Sequence, residues 1–149
     1  MLYNSNSSAA PANIVEDLDI THRKHLRRIL NVHWPHGCIT NKELYKRCDT
    51  TKLSERVTKM RWTMLGHVLR SNRKSPAFTS LTFAMTNGVK SRKGRHQMNL
   101  MQVIKSDLRC RKFDLKNIED IYILCDIASD RGRWREAFRE DLLKSQAVS

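Results

Sequence analysis

The stretch LSERVTKMRWTMLGHVLR, residues 53–70, predicts a long helix around which the rest of the chain is organised. It contains no proline and one glycine, and its apolar residues recur every three or four positions, as on one side of an α-helix. These apolar residues are Leu53, Val57, Met60, Met64 and Val68, and Trp62, Leu65 and Leu69 widen the same side. The residues predicted opposite them are Arg56, Lys59, Thr63, His67 and Arg70. One side can therefore enter a hydrophobic core while the other presents cations.

Two residues interrupt the apolar side of this helix. Arg61 lies within it, so its charge must reach solvent along its methylene stem or find a partner. Gly66 lies mid-helix, where glycine costs about 1 kcal/mol relative to alanine, and the close approach of another backbone would compensate. The amphipathic spacing alone names no function, because an ordinary core helix with a solvated face shows the same pattern.

The composition is strongly basic. The 149 residues carry 28 Lys and Arg against 15 Asp and Glu, a formal net charge of +13. The length suits one domain, and a hydrophobic share of 40% allows a modest core. Such an excess of positive charge indicates a polyanionic partner, most often nucleic acid and less often an anionic membrane surface. No membrane span is expected, since no run of about 18 apolar residues occurs.

The positive charge is unevenly distributed. Residues 17–74 carry fourteen Lys and Arg against five Asp and Glu, a net of +9, and residues 75–112 carry a net of +7. Residues 1–16 have a net charge of −1 and residues 113–149 a net charge of −2. We therefore expect the polyanion-binding part between residues 17 and 112, and a packing or regulatory role for the C-terminal segment.

The N-terminus and the cysteines bear on localisation. The N-terminus is rich in Ser, Asn and Ala and lacks the basic and apolar regions of a signal peptide. The four cysteines, Cys38, Cys48, Cys110 and Cys125, show no CxxC spacing. We therefore expect reduced thiols in a nuclear or cytoplasmic protein that is not secreted.

The predicted fold is mainly α: a small bundle of five or six helices with a possible short β-hairpin near residues 78–92. Residues 1–13 are expected to be disordered, and residues 14–145 to form a basic helical domain. That domain divides into helices at 14–74, a hairpin and basic loop at 75–97, and C-terminal helices at 98–145.

Local signals place the individual elements. The first helix is predicted over residues 14–32, and Thr40 with Glu43 forms the capping-box pattern that opens a short helix to Cys48. A partial alternation from Ala77 to Met85, followed by Asn87-Gly88, predicts the hairpin. A helix is predicted over residues 98–110. Asp114 and Asp130 are predicted to cap the last two helices, at residues 115–129 and beyond residue 130.

The sequence offers little for catalysis. No phosphate-binding loop of the Walker or Rossmann kind occurs, and the carboxylates cluster at helix starts and in the acidic tail. His33, His36, Cys38 and Cys48 are zinc-ligand residue types, but their spacing matches no common zinc framework, so exposed imidazoles in a turn are the preferred interpretation. We predict no catalytic residues, no metal and no cofactor.

The basic residues are the better candidates for a site, because Lys and Arg bind phosphates through charge and counterion release. The candidate nucleic-acid-binding residues are Arg23, Lys24, Arg27, Arg28, Arg56, Lys59, His67, Arg70, Lys90, Arg92, Lys93 and Arg95. The aromatics that could stack on bases are Trp34, Tyr45 and Trp62, whereas Trp134 has core spacing. A merely solvated charged face is the alternative.

Several motifs taken in order resemble the region after the polymerase domain of non-LTR (LINE-type) retrotransposon reverse transcriptases. They are LRRIL before Trp34-Pro35, then TNKEL from Thr40, RW at Arg61-Trp62, LGHVLR from Leu65, KGR from Lys93, DL at Asp107-Leu108 and DRGRWR from Asp130. The resemblance covers roughly residues 20–140. It departs at His96, where the family has proline, and at Leu100, near the place of a usual tryptophan.

The resemblance implies a C-terminal helical region that helps to hold template RNA or target DNA beside a polymerase. The family's polymerase motif with its paired aspartates and its endonuclease do not occur in this sequence, so we expect no enzymatic activity from these residues alone. The expected partner is RNA or DNA with weak sequence preference, and a reverse transcriptase core is a second expected partner. The alternative is a structural module that docks on a polymerase core with its basic face merely solvated.

Overall fold

The computed structural model describes residues 12–33, 37–87, 99–110, 113, 115 and 117–137. Its helices are α1 (Ala12–Ile29), α2 (Asn41–Arg47), α3 (Leu53–Arg70), α4 (Pro76–Asn87), α5 (Leu100–Cys110), α6 (Ile118–Ser129) and α7, the helical residues 131–137. The described part contains no strand, so the mainly α prediction is confirmed. Among the described helices, none combines the length and apolar character that crossing a bilayer requires.

The chain divides into two compact units, with the boundary inside α3. Unit 1 holds the described residues up to Thr58, and unit 2 holds those from Lys59 onward.

Unit 1 consists of α1, α2 and the first residues of α3. Leu44 on α2 is fully buried, and Val57 is buried on α3. The Asp19 carboxylate on α1 accepts hydrogen bonds from Ser54, at 3.0 Å from its backbone N and 2.6 Å from its Oγ. A carboxylate in this position satisfies a free amide of the first turn of α3 and suits the helix dipole.

The two helices of unit 1 end in the same way. Asn31 (φ 53°) and Asp49 (φ 44°) adopt left-handed backbone conformations just beyond α1 and α2. After α1, the Val32 amide donates to the Arg27 carbonyl at 2.9 Å, and the Asn31 amide donates to that of Arg28. This pattern is the Schellman motif, which ends α1 at Ile29, three residues before the predicted boundary.

Unit 2 has a hydrophobic core to which each of its described helices contributes. The buried residues are Trp62, Leu65 and Leu69 of α3, Phe78, Leu81 and Met85 of α4, Ile104 and Leu108 of α5, Ile121, Leu124 and Ala128 of α6, and Trp134 of α7. Three helix-spaced positions on each of α3, α4 and α6 therefore supply most of the core.

The buried side of α3 is rotated from the predicted one. Its centre is formed by Trp62, Leu65 and Leu69, and Leu65 is only 2% exposed. Met60, predicted to be near the middle of the apolar side, is 38% exposed, while Met64 and Val68 are half-buried at the edge of the core. The sequence identified the buried residues but misplaced the centre of the buried side.

The strand predicted over residues 77–85 is wrong, because these residues belong to α4. Its buried residues Phe78, Leu81 and Met85 have helical spacing, and Phe83, which completed the apparent alternation, is 65% exposed. Ser75 opens the helix, since its Oγ accepts a hydrogen bond from the Phe78 amide at 3.3 Å. The return arm predicted from Val89 lies outside the described residues.

The remaining helix starts agree in part with the predictions. Thr40 Oγ1 accepts from the Glu43 amide at 3.2 Å and caps α2. Asp130 Oδ1 accepts from the Gly132 amide at 2.7 Å, which makes Asp130 the cap of α7 as predicted. α6 begins at Ile118 with Asn117 as its N-cap, three residues later than predicted, and Asp114 lies outside the described residues.

Candidate nucleic-acid interface

The second half of α1 carries four cations on one face. At about 100° per residue, Arg23, Lys24, Arg27 and Arg28 fall within an arc of about 140°. Lys24 and Arg28 are exposed, and Arg23 and Arg27 are half-buried. The Arg27 guanidinium donates to Asn41 Oδ1 at 2.7 Å, which fixes it without neutralising it. Among the described residues, no carboxylate forms an ion pair with any of the four.

Three of the other predicted residues, Arg56, Lys59 and His67, lie on the exposed side of α3, and Arg70 lies at its end. Arg56 is exposed in unit 1, and Lys59 and His67 are exposed in unit 2. Arg70, at the end of α3, is half-buried and donates from Nη1 to the Ala128 carbonyl oxygen at 2.9 Å.

A pair of stacked indoles joins α3 to α7. The Trp62 and Trp134 rings lie with their centroids 4.1 Å apart and their planes 10° apart. Each Nε1 donates to the backbone carbonyl of the other residue, at 3.0 Å from Trp62 and 3.1 Å from Trp134. Both buried indole N–H groups are therefore satisfied, as buried tryptophans require. Trp62, one of the aromatics that could stack on bases, is therefore unavailable for such stacking, because its ring is buried against Trp134.

Gly66 provides the space for the second indole. A Cβ at Gly66 would lie 2.9 Å from Cδ1 and Cε2 of Trp134 and closer still to its Nε1. The close approach expected at this glycine is therefore present, but it comes from an aromatic side chain and not from another backbone.

Arg61, the charged residue on the buried side of α3, forms an ion pair with a carboxylate. Its Nε donates to Asp107 Oδ2 on α5 at 2.9 Å, with 7% of the Arg61 side chain and 22% of the Asp107 side chain exposed. A buried guanidinium needs such a carboxylate, and losing one partner of such a pair typically costs about 3–5 kcal/mol. Arg61 therefore serves the packing of α3 and α5.

The contacts of Arg70 and Trp134 bring two further arginines to the end of α3. Arg131 and Arg135 of α7 are exposed and close enough for their positive charges to act on Arg70. The pKa of Arg70 is lowered, chiefly by burial and additionally by these two charges. Sequence reasoning missed both residues because they lie in the acidic C-terminal segment. Both residues lie close in sequence to Trp134, a predicted core residue, and this proximity is the signal that could have placed them near the other helices.

His22 lies inside unit 1 and does not add to the cationic face. The centroids of the His22 and Tyr45 rings are 6.0 Å apart, and the two ring planes are tilted by 42°. Burial lowers the pKa of His22, and the charges of Arg56, His25 and Arg23 lower it further against the opposing effect of Asp19. Tyr45 is half-buried in the same place, which leaves little of its ring for stacking on bases.

Some predicted residues lie outside the described part of the chain. These are Lys90, Arg92, Lys93 and Arg95 of the basic loop, together with Trp34 and His36. Of the zinc-ligand types, His33 and Cys38 are exposed, and Cys48 is half-buried. Within the described ranges, no three His, Cys, Asp or Glu side chains are grouped closely enough to hold a metal ion.

The cysteines are free thiols in the structure. Cys38 and Cys110 are exposed, whereas Cys125 on α6 packs against the core of unit 2. Burial raises the pKa of the Cys125 thiol, and the nearby Arg73 charge opposes this shift. Cys125 is therefore less reactive than an exposed thiol.

Comparison with protein-family models, with curated proteins and with solved structures finds no match to this chain. The functional interpretation therefore depends on the residues themselves and on the motif resemblance described above.

Proposed function

We propose that this chain is a helical nucleic-acid-binding module that holds RNA or DNA through its phosphate backbone with weak sequence preference. The proposal includes the origin that the motif resemblance suggests, the C-terminal region of a LINE-type reverse transcriptase, and therefore a nuclear or cytoplasmic location. In this proposal the module has no catalytic centre of its own, and it helps to hold template RNA or target DNA beside a polymerase.

The observation that carries the proposal is the cationic face of α1. Lys24 and Arg28 are four residues apart, as are Arg23 and Arg27, and like charges at this spacing destabilise a helix by about 0.2–0.5 kcal/mol per pair. The described carboxylates form no ion pair that relieves this repulsion. A polyanion would relieve it and would release its own counterions on binding. The surface is therefore better suited to phosphates than to water alone.

A second candidate function, docking on a polymerase core, is favoured by exposed apolar side chains on α6. Ile118, Tyr122 and Ile123 are 49%, 46% and 58% exposed, so three large apolar side chains of one short helix are accessible to a partner. Docking through such residues is nearly insensitive to salt, whereas phosphate binding weakens steeply as salt rises. Salt dependence therefore distinguishes the two candidates.

The α1 face is tested with the double variant Lys24→Gln/Arg28→Gln. We expect the wild-type chain to bind a short labelled DNA duplex and an RNA hairpin of unrelated sequence, with log affinity falling linearly against log salt. Because each lost phosphate contact removes about 0.9 from that slope, the double variant should lower it by up to about 2. Fluorescence anisotropy at several salt concentrations measures the slope.

The matched control is Lys42→Gln/Lys46→Gln on α2. These two residues are also exposed, also four apart and also in unit 1, so the loss of charge is identical. We expect the slope of this control to stay within about 0.5 of the wild-type value. Equal slopes for both variants would show that α1 has no special role, and a wild-type chain that fails to bind at about 50 mM salt would overturn the proposal, since screening there is mild.

A further inference from the structure

We infer that Arg70, Arg131 and Arg135 form a phosphate-binding site on unit 2, which takes the phosphodiester backbone of RNA or DNA. This inference rests on the proposed nucleic-acid binding and adds a specific place for it. Two of the three arginines belong to the C-terminal segment, which has a net negative charge and was expected to pack or regulate.

Two sets of contacts fix the position of this site. Trp62, Gly66 and Arg70 are spaced four apart and form one ridge of α3. The Trp134 indole packs on this ridge against Trp62 and Gly66. One turn further along α3, the Arg70 guanidinium donates to the Ala128 carbonyl at the end of α6. The start of α7 is therefore held beside Arg70.

Helical geometry then selects which arginines of α7 face Arg70. At about 100° per residue, Arg131 and Arg135 lie about 60° and 100° to one side of Trp134, and Arg133 lies about 100° to the other side. The charges that act on Arg70 are those of Arg131 and Arg135, in agreement with this geometry. Arg133 instead faces Asp130, with its Nε 3.8 Å from Oδ2.

The charge arrangement is unfavourable without an anion. Arg131 and Arg135 are a like-charged pair four residues apart, and both repel Arg70. Within the described residues, neither Arg131 nor Arg135 forms an ion pair. A phosphate group accepts hydrogen bonds from several guanidinium groups at once, often two from each, and converts their repulsion into attraction. The planar donors of three neighbouring arginines suit successive phosphates of a nucleic-acid backbone.

The test compares three single substitutions on the same short helix. Arg131→Gln and Arg135→Gln should each weaken binding of the labelled DNA duplex and RNA hairpin about three- to tenfold at about 100 mM salt. Arg133→Gln is the matched control, because it removes one exposed arginine from α7 on the opposite side of Trp134. We expect it to change affinity less than about twofold.

Two double variants separate loss of charge from loss of structure. Arg131→Gln/Arg135→Gln should lower the slope of log affinity against log salt by up to about 2, with an unchanged or slightly raised melting temperature. Arg131→Lys/Arg135→Lys keeps both charges and should keep the wild-type slope. If the lysine variant loses as much slope as the glutamine variant, altered packing explains the loss and the inference is wrong.

The failures of the two proposals are distinguishable. A wild-type chain that binds neither probe at about 50 mM salt contradicts nucleic-acid binding as a whole. A wild-type chain that binds, with Arg131→Gln, Arg135→Gln and Arg133→Gln all equally affected or all unaffected, contradicts this site alone. The cationic face of α1 would then have to supply the phosphate contacts.

Discussion

Gly66 leaves no space for a side chain, because the Trp134 indole lies where a Cβ would be placed. Its Cα faces the edge of the Trp134 indole, whose N–H is already committed to the Trp62 carbonyl. Any substitution there must displace a ring that is stacked on one face and hydrogen-bonded at its edge. Gly66 therefore couples the position of α7 to the backbone of α3.

Gly66→Ala should destabilise the protein by about 1–3 kcal/mol, because the added methyl group overpacks the indole contact. This sign is opposite to the general rule, since glycine to alanine in a helix interior usually stabilises by about 1 kcal/mol. Urea unfolding followed by circular dichroism measures the change. The control Thr63→Ala, at an exposed position of the same helix, should shift stability by less than about 0.5 kcal/mol.

Sequence reasoning at this scale identified the unusual residues but not their partners. Arg61 and Gly66 stood out because each breaks the local pattern of α3, and a broken pattern is visible within a few residues. Their partners Asp107 and Trp134 lie on α5 and α7, and only tertiary packing brings them near. For the same reason Arg131 and Arg135 could not be assigned to the end of α3.

At the scale of elements, the ends of α1 and α2 are set by backbone hydrogen bonding. Both helices finish in a Schellman motif with a non-glycine residue in the left-handed position, Asn31 in one and Asp49 in the other. Glycine is the usual residue there because it has no Cβ to clash with the neighbouring carbonyl. Asparagine and aspartate tolerate the conformation better than other residues, which explains their presence.

Substitutions at Asn31 should follow the order that this backbone conformation dictates. Asn31→Gly should stabilise unit 1 by up to about 1 kcal/mol, and Asn31→Ala should destabilise it by about 1 kcal/mol. The side chain is exposed, so packing contributes little to either change. Thermal unfolding of both variants gives the order, and an alanine variant more stable than the glycine variant would show that α1 does not end here.

The error at α4 has a physical cause in its composition. PAFTSLTFAMTN contains five threonine and aromatic residues, which favour strands, and Leu81, Phe83 and Met85 alternate over a short window. The structure accommodates the threonines in a helix because Thr79, Thr82 and Thr86 each donate a hydroxyl to the carbonyl four residues earlier. Ser75 followed by Pro76 was the overlooked signal, since serine caps helices and proline suits their first position.

At the scale of the whole molecule, the dominant quantity is the net charge of +13. An excess of this size destabilises a compact state through self-repulsion, and dissolved salt screens it. Among the described residues, the cations on α1 and the arginines around Arg70 are two places where like charges lie close together. Composition alone therefore indicates a polyanionic partner, but it cannot show which surface of the protein binds that partner.

Raising sodium chloride from about 50 to 500 mM should therefore raise the melting temperature of the free protein, because screening shortens the range of the repulsion to a few ångströms. The Lys24→Gln/Arg28→Gln variant should show a smaller rise, since it carries two fewer charges in one cluster. If screening, and not chloride binding, is responsible, sodium fluoride should raise the melting temperature by the same amount. A melting temperature that falls with salt would show that attractive ion pairs outweigh the repulsion.

The Trp62–Trp134 stack also provides an intrinsic spectroscopic probe of the fold. The two indoles are two of its three tryptophans, and they lie nearly parallel at 4.1 Å although 72 positions separate them in the chain. At this separation the electronic transitions of the two rings interact, so the near-ultraviolet spectrum of the stacked pair differs from that of two separate indoles. Since this interaction vanishes as soon as the rings part, it reports the association of α7 with α3 without any attached dye.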